Sequence, residues 1–387
     1  MKSFLKSKGF REFLRIALAL FIGLGLGFII TLFVSEDPVG AYKAFLLGPL
    51  SRLNRIGDWL EESLTLILLG LTICIVFNAS QWYIGVEGQM VLGAMAAGCI
   101  ALYVPLPPAP RILLAFLAAM LVGALWGLIP ALLKAYYKAN ELVTSLMMNT
   151  IALKLFEYVL KNFIMTEKSR SVSSESIGEE FRLGTFIPDL PFLHNIRELW
   201  IKQTSVTVMV YVVIAAVFVV YYLLYKTPFG YELRMVGLNA KFARYGSINV
   251  NRAVILSIMV SGIFAGLAGV HITLAIHNKL ISNMTSGLGF EGINIAILAS
   301  NNPLGVPIAG LLYGYLRAGS DVMERSSDVS RELVFVIQAM VLLLVTAERL
   351  LPVVRTRIAE DQDSENQNGP ANAAKQLKKD EGESHVA

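Results

Sequence analysis

The fold is decided by residues 64–104, which read LTLILLGLTICIVF (64–77), NASQWYIGVEGQ (78–89) and MVLGAMAAGCIALYV (90–104). Two apolar runs are joined here at a polar break that holds one carboxylate, Glu87, between two glycines. Spanning the hydrocarbon core of a bilayer takes roughly 20 mostly apolar residues. Each run alone is shorter than that, so we expect the segments either to be lengthened by their flanks or to be partly re-entrant.

A second pair of short apolar runs, 288–300 and 304–319, meets at the break ASNNPLG (299–305). Short segments interrupted by Gly or Pro at corresponding places in two halves point to a transport site. The polar side chains of the two breaks are therefore predicted to line a substrate pathway: Glu87, Gln89, Asn301 and Asn302. Another interpretation stays open, in which Glu87 and Gln89 tie the first break to a helix start by pairing with freed backbone N–H groups.

The remainder of the chain is equally apolar. Of its 387 residues, 55% are hydrophobic and only 16% are charged, whereas soluble domains carry about a quarter charged residues. Apolar runs occur at 16–34, 64–77, 90–104, 112–133, 146–164, 205–225, 253–276, 288–300, 304–319 and 333–351. This pattern predicts an all-α, polytopic membrane bundle of about ten segments, arranged in two inverted halves with broken-helix hairpins.

Basic residues indicate the orientation, because Lys and Arg in short loops stay cytoplasmic. The N-terminus, 134–143 and 226–252 are basic, whereas acidic residues cluster in 35–63 and 320–332. We therefore expect a multi-pass protein of a bacterial cytoplasmic (inner) membrane with both termini in the cytoplasm. Its transmembrane domain is predicted over 1–351, with a cytoplasmic loop at 226–252 and an external loop at 165–203 that either caps the bundle or merely connects two spans. The polar tail, 352–387, is predicted to be disordered.

Five motifs follow the first break in order. They are TPFG (227–230), LRMVGLN (233–239), SGIFAGLAG (261–269), GFEGI (289–293) and NPLG (302–305). Together with IGVEGQ (84–89), they resemble the permease subunits of binding-protein-dependent ABC importers, in the branch that serves branched-chain amino acids, simple sugars and nucleosides. The stretch ELVTSLMMN (141–149) is similar to the sugar and nucleoside side of that branch, and the resemblance covers about 35–350.

The resemblance implies a permease subunit without enzymatic activity or a cofactor of its own, which translocates a nucleoside or simple sugar delivered by an extracytoplasmic binding protein. It implies three protein partners besides membrane lipid: an ABC ATPase that binds ATP and Mg, a second, non-identical permease, and an extracytoplasmic substrate-binding lipoprotein. The loop matching 226–252 is similar to the coupling segment that sits in a groove of the ATPase. The residues predicted to couple to the ATPase are Asn140, Glu141, Thr227, Pro228, Gly230, Arg234, Gly237 and Asn239.

Two other classes of protein stay open on the residues alone. Lys154, Glu157 and Lys161 interrupt the fifth span at spacings that place them on one helix face, which favours an ion-coupled secondary carrier. An intramembrane enzyme needs a catalytic or metal-binding constellation, but the histidines form no metal-binding motif; His271 and His277 stand alone near the outer end of a span. The basic residues report topology, so no nucleic-acid partner is expected.

Overall fold

The structure is a computed structural model that describes residues 21–33, 35–165, 172–184 and 206–330, with four isolated positions between 336 and 343. The basic N-terminus, almost all of the predicted last span and the polar tail lie outside the described residues. The chain forms two units. One contains Met1–Phe33 and Phe335–Ala387, in which Phe21–Phe33 forms the apolar helix α1. The other, Val34–Val334, contains all the elements described below.

The described part of this second unit is helical. Its α-helices are α2 (Pro38–Leu47), α3 (Leu53–Asn78), α4 (Val86–Tyr103), α5 (Pro108–Tyr137), α6 (Glu141–Val159), α7 (Met209–Lys226), α8 (Pro228–Leu238), α9 (Ala240–Tyr245), α10 (Val250–His271), α11 (Leu288–Leu298) and α12 (Val306–Ser326). A π-helical turn extends α6 over Leu160–Ile164 and α10 over Ile272–His277. The described residues contain no β-strand, and Ser173 forms an isolated bridge with Ile281.

Six of these helices, α3 to α7 and α10, are long and apolar enough to cross a membrane. Every predicted apolar run that falls within the described residues corresponds to a helix. The all-α polytopic membrane bundle is therefore confirmed. The inverted relation of the two halves stays a prediction, because the first and last predicted spans fall largely outside the described residues.

Helices α4, α5 and α10 pack together at the centre of the bundle through small residues. A Cβ atom on Gly262 of α10 would lie 2.4 Å from the carbonyl oxygen of Gly123 in α5. A Cβ on Gly266 would likewise lie 2.2 Å from the carbonyl oxygen of Ala119. Small residues let membrane helices approach closely enough for their backbones to touch. The glycines of SGIFAGLAG therefore form a helix-packing face.

Helix α11 is too short to cross a membrane. Its 11 residues extend about 16 Å at 1.5 Å per residue, roughly half of a 30 Å hydrocarbon core. A Cβ on Gly292 would contact Leu69, near the middle of α3. The chain reaches α11 through the non-helical stretch 278–287, in which Leu280 packs beside Gly98 of α4. Of the two options for the short runs, α11 with its non-helical approach fits the partly re-entrant one, whereas α3 is lengthened by residues 53–63.

Part of the predicted external loop, 172–184, packs onto one end of the bundle. The backbone N–H groups of Ser174 and Ile177 donate to the carbonyl oxygens of Leu280 and Asn278, at 2.8 and 2.9 Å. The Ile177 side chain is fully buried in an apolar cluster from α4, α5 and α10. This part of the loop therefore covers the bundle end rather than simply connecting two helices. The side of the membrane that this end faces stays a prediction.

Candidate functional site

Glu87 links the two broken hairpins. It is buried in the first turn of α4, and its carboxylate faces the N-terminus of α11. Its Oε1 accepts hydrogen bonds from the Thr285 hydroxyl and the N–H of Gly287, and its Oε2 accepts the N–H of Gly289 at 2.6 Å. The first N–H groups of a helix have no partner within the helix, and the helix dipole favours a negative charge there. Glu87 thus caps α11 across 200 residues of sequence.

Gln89 is completely buried at the crossing of α4, α5 and α10. Its Nε2 donates to the carbonyl oxygen of Ile258 at 3.2 Å, and its Oε1 has no partner among the described residues. A Cβ on Gly127 would lie 2.1 Å from that Nε2, so a glycine is needed to make room for the amide. The freed backbone of the first break is bound by another side chain, Asn149 of α6, which accepts the N–H of Gly88 and donates to the carbonyl of residue 84.

The other two predicted pathway residues lie in the turn between α11 and α12. The carbonyl oxygen of Asn301 accepts the Asn78 amide at 3.0 Å, and the Asn301 side-chain Oδ1 is buried without a partner in the described part of the chain. Asn302 is exposed, and its Oδ1 accepts the N–H of Leu304 at 3.1 Å. Glu87 caps the other end of α11. The structure therefore does not bring the four candidates together at one cavity.

The predicted coupling loop forms two short helices, α8 and α9. The Thr227 hydroxyl caps α8 by accepting the N–H of Gly230 at 3.2 Å, and Pro228 is the first helical residue, a position that suits its fixed φ angle. Asn239 caps α9 by accepting two backbone N–H groups at 3.0 Å each. The Arg234 guanidinium lies 5.0 Å from the centre of the Tyr225 ring at the end of α7. These side chains shape the loop and hold it against the bundle.

The glycines of the coupling loop permit close backbone contact. A Cβ on Gly230 would lie 2.2 Å from the carbonyl oxygen of Leu223 in α7. A Cβ on Gly237 would lie 2.2 Å from the carbonyl oxygen of Asn78, at the first break. The Ser80 hydroxyl also donates to the carbonyl oxygen of Gly237 at 2.7 Å. The coupling loop therefore rests directly on the break between α3 and α4.

The second predicted coupling site contacts the same break. Asn140 caps α6 by accepting the N–H of Leu142 at 3.0 Å. Glu141 forms an ion pair with Lys134 at the end of α5 and accepts the backbone N–H of Trp82 at 2.8 Å. The Glu141 carboxylate is thus bound by groups of this chain, and it connects α5, α6 and the first break.

Sequence reasoning missed the side chains that project from the coupling loop. Leu238, Phe242 and Tyr245 are 82%, 61% and 90% exposed. Phe242 and Tyr245 lie three positions apart in α9, a spacing that places two residues on one helix face, whereas Leu238 ends α8 just before the extended residue Asn239. Apolar residues every three or four positions in 226–246 were the signal in the sequence that could have identified them. We call these three residues the coupling face.

At the opposite end of the bundle, polar groups form a buried network. The ring of His271 contacts the Glu61 carboxylate through Nε2 and the Thr65 hydroxyl through Nδ1, the latter at 2.7 Å. Arg317 of α12 pairs with Glu291 of α11, and a cavity of about 320 Å³ lies nearby, between α3 and α12. His271 is thus held by protein groups. Within the described residues, no three His, Cys, Asp or Glu side chains come together as a metal site.

Comparison with known proteins identifies relatives over most of the chain. The chain is 29% identical to the guanosine ABC transporter permease protein NupP of Bacillus subtilis over 342 residues, 88% of this chain and 95% of NupP. It is 30% identical to the glucose ABC transporter permease protein TsgB13 of Haloferax volcanii, over 92% of each chain. A second guanosine permease of Bacillus subtilis, NupQ, is 30% identical over 61% of this chain and 72% of NupQ.

No solved structure matches the chain. Residues 55–346 match the family described as "Branched-chain amino acid transport system / permease component". This match includes both breaks, the coupling loop and the helices that hold them, which is well over half of the sequence. The chain therefore belongs to this family of permease components.

Proposed function

We propose that this chain is the transmembrane permease subunit of an ATP-driven ABC importer that carries a nucleoside or a simple sugar. The observation that carries this proposal is the coupling loop, a pair of short helices with an exposed apolar face, seated on the first break of a multi-pass permease. The names of NupP and TsgB13 support guanosine-like or glucose-like solutes. The chain itself is a non-catalytic membrane subunit.

The proposed partners are inferred from the missing nucleotide-binding motif and from the relatives of this chain. It contains no Gly-x4-Gly-Lys-Ser/Thr stretch that would bind nucleotide phosphates, so we assign ATP and Mg binding to a separate ABC ATPase. NupP and NupQ are two different guanosine permeases of one organism, which supports a second, non-identical permease here. An extracytoplasmic lipoprotein would deliver the solute. The basic loops support a bacterial inner-membrane location with cytoplasmic termini.

The contacts suggest how force from the ATPase reaches the pathway. Gly237 of the coupling loop and Glu141 of the second coupling site both hold the turn at 78–82. The same turn also holds the C-terminal side of α11, because the Asn78 amide donates to the carbonyl of Asn301, just after that helix. Docking of the coupling face on an ATPase that closes around ATP would therefore shift the first break and α11 together. ATP drives such a change because it binds the two states with different affinity.

The four pathway candidates keep different roles in this proposal. Asn301 and Asn302 offer an unpartnered amide oxygen and an exposed amide, respectively, and both groups suit a hydroxyl-rich solute. Glu87 and Gln89 act by positioning helices, since their side chains are buried against protein groups.

The charged residues that favoured an ion-coupled carrier do not form an internal site. Lys154 and Glu157 form an ion pair at 3.1 Å, but the Lys154 side chain is 72% exposed and points away from the bundle. An ion-coupled carrier needs its titratable or ion-binding groups along an internal path. The relatives reported above are ABC permeases, and they lend the carrier no support.

Reconstitution tests the proposal. Proteoliposomes would contain this chain with or without its ATPase, second permease and binding protein, and uptake of labelled nucleosides and simple sugars would be measured. We expect uptake only from the complete complex with ATP. Uptake by this chain alone, driven by an ion gradient, would overturn the proposal in favour of the carrier.

A further inference from the structure

One side of α6 binds the backbone of the first break. Residues 81–84 of the break are not helical, and within a membrane the backbone groups of such a segment need protein or water as partners. Glu141, Ser145 and Asn149 supply partners from α6, and they lie four positions apart. With 3.6 residues per turn, this spacing places them along one side of the helix. We call these three side chains the α6 ladder.

The two inner members of the ladder are buried. The Asn149 amide donates to the carbonyl oxygen of Ile84 and accepts the N–H of Gly88, each at 3.0 Å. The Ser145 hydroxyl donates to the carbonyl oxygen of Leu142 within α6, and its oxygen accepts the N–H of Ile84 at 3.4 Å. Side chains of one helix therefore make the hydrogen bonds that the break does not make with a backbone.

The ladder and the coupling loop contact separate parts of the break. The coupling loop contacts residues 78–80 through Gly237. The ladder contacts residues 82–88, beginning with the N–H of Trp82, which Glu141 accepts at 2.8 Å. Each of the two predicted coupling sites thus has its own attachment to the break.

The inner end of the ladder is joined to α11. Gly88 directly follows Glu87, which caps α11 by accepting the N–H of Gly289 at 2.6 Å. A Cβ on Gly88 would lie 3.0 Å from Asn149 Oδ1 and 3.3 Å from the Cβ of Ala152, so α4 and α6 are tightly packed at this point. A displacement of α6 therefore reaches α11 through Asn149 and Glu87 without passing through the coupling loop.

We infer that Ser145 and Asn149 are positioning residues through which the second coupling site moves the first break and α11. The inference rests on the proposed function, which places the start of α6 at the ATPase. The outer and inner members, Glu141 and Asn149, are about 12 Å apart along the helix at 1.5 Å per residue, and both bind the break. Two attachments at this separation make the bonded segment follow α6 as one body.

Substitutions in the ladder test the inference in the assembled complex in proteoliposomes. The variants are Asn149→Ala and Ser145→Ala. The matched control is Thr150→Val, which removes a neighbouring exposed hydroxyl that donates only to the carbonyl oxygen of Leu146 within α6, at 3.1 Å. The readout is the rate of ATP hydrolysis with loaded binding protein divided by the rate without it. Thermal unfolding of the same preparations shows whether each complex is intact.

We expect Asn149→Ala to lower this ratio at least about fivefold, the lower end of typical coupling between sites. Ser145→Ala should lower it less, because it loses one long hydrogen bond to the break, and Thr150→Val should leave it unchanged. An unchanged ratio in intact ladder variants would overturn the inference, as would an equal fall in the Thr150→Val complex.

A covalent tether tests the same inference with the inner ladder left in place, so it does not depend on whether Asn149→Ala folds. Trp82→Cys in the break and Leu142→Cys at the start of α6 replace two exposed residues, which a short bismaleimide would join. The same reagent on the unsubstituted chain gives the background of its two native cysteines. We expect uptake within about twofold of the singly labelled complexes, because a link inside one rigid body leaves motion between bodies free.

Loss of uptake on tethering, in a complex whose singly labelled forms still transport, would mean that the break moves relative to α6 and would overturn the inference. Both experiments start from an unsubstituted complex that imports solute. Failure of that complex to import nucleosides or sugars would overturn the proposed function, whereas a contrary result in an importing complex would overturn the role of the ladder alone.

Discussion

Removing the Glu87 carboxylate tests whether this residue positions α11 or contacts the solute. Glu87→Ala would leave the Thr285 hydroxyl and the N–H groups of Gly287 and Gly289 without their acceptor. An unsatisfied buried donor costs about 1–3 kcal/mol. Three such donors place the loss of unfolding free energy at about 3–9 kcal/mol, and water entering the truncated site favours the lower half of that range.

Glu87→Gln is the more informative change, because it keeps the shape of the side chain. One oxygen remains as an acceptor, while the other becomes an amide NH₂ that points at a donor and can no longer accept. We expect a loss of about 1–3 kcal/mol, the value of a hydrogen bond to a charged group together with one orphaned donor. Thermal unfolding of the purified complex measures this loss, with Glu180→Gln as a matched change at an exposed carboxylate. That control should stay within about 0.5 kcal/mol of the unsubstituted complex.

Uptake measured on the same preparations separates the two interpretations of Glu87. If the carboxylate positions α11, transport and stability should fall together, and conditions that restore stability should restore much of the transport. A Glu87→Gln complex that unfolds at the same temperature as the unsubstituted complex but no longer transports would refute this reasoning. The carboxylate would then have to act on the solute.

Three further predictions concern the coupling loop and the chain after α12. Gly237→Ala places a Cβ against the backbone of the first break. We expect the stimulation of ATP hydrolysis by substrate to fall roughly 5–150-fold. Phe242→Ala removes the centre of the coupling face and should weaken ATPase binding by about 2 kcal/mol, measured by titration. Hydrogen bonds from the Ser35 hydroxyl and the Glu36 N–H lower the pKa of Asp328. Because this pKa is lower in the folded state, the stabilising contact is complete above the ordinary value of 3.8 and is lost as the pH falls through the lowered one. Protection of the Glu36 amide, which is its hydrogen-exchange rate relative to the intrinsic rate at the same pH, should therefore fall only in strong acid, and Asp328→Asn should abolish that change in protection.

Each of these predictions has a control within the chain. Gly246→Ala is matched to Gly237→Ala, since its Cβ would meet no atom closer than 3.4 Å; equal coupling in the two variants would contradict the contact argument. Leu113→Ala alters an exposed apolar residue of α5, and ATPase binding reduced equally by this change and by Phe242→Ala would argue against a specific coupling face. For Asp328, protection of the Glu36 amide that does not change with pH in the unsubstituted chain would be the contrary result.

The sequence predicted the helices and the breaks because both depend on local composition. A run of apolar residues fixes a span, and polar residues with Gly or Pro end it, so α3, α4, α11 and α12 could be located from the sequence. The contacts between breaks could not be predicted in this way. Glu87 meets Gly289 across 202 positions, and His271 meets Glu61 across 210. Neither pair shares a periodic pattern, and only the packing of α3, α4, α10 and α11 brings them together.

The coupling residues show the same limit at a smaller scale. The motifs predict a distinct segment at 226–252, but they do not distinguish the residues that build it from the residues that project from it. Glycine is required at positions 230 and 237, because close backbone contacts leave no room for a side chain there. Leu238 and Tyr245 are exposed, so packing among the described residues does not determine their identity. Only a structure separates these two groups, because both occur in the same short stretch.

The positions of the hydrogen bonds imply that α11 moves with the first break as one body. Glu87 holds the N-terminus of α11, and Asn78 holds the turn that follows its C-terminus. Both residues belong to the chain that flanks the break at 79–85, so a shift of this break displaces both ends of α11. Loss of the two contacts should therefore differ in effect. Asn78→Ala removes the amide bond to the Asn301 carbonyl and leaves the bond from the Cys74 thiol, so it loosens only the end next to the coupling loop. We expect it to reduce the coupling of ATP hydrolysis to transport while leaving the buried cap and most of the stability intact. If Asn78→Ala and Glu87→Gln instead destabilised the complex equally and left coupling unchanged, α11 would be a static element of the bundle.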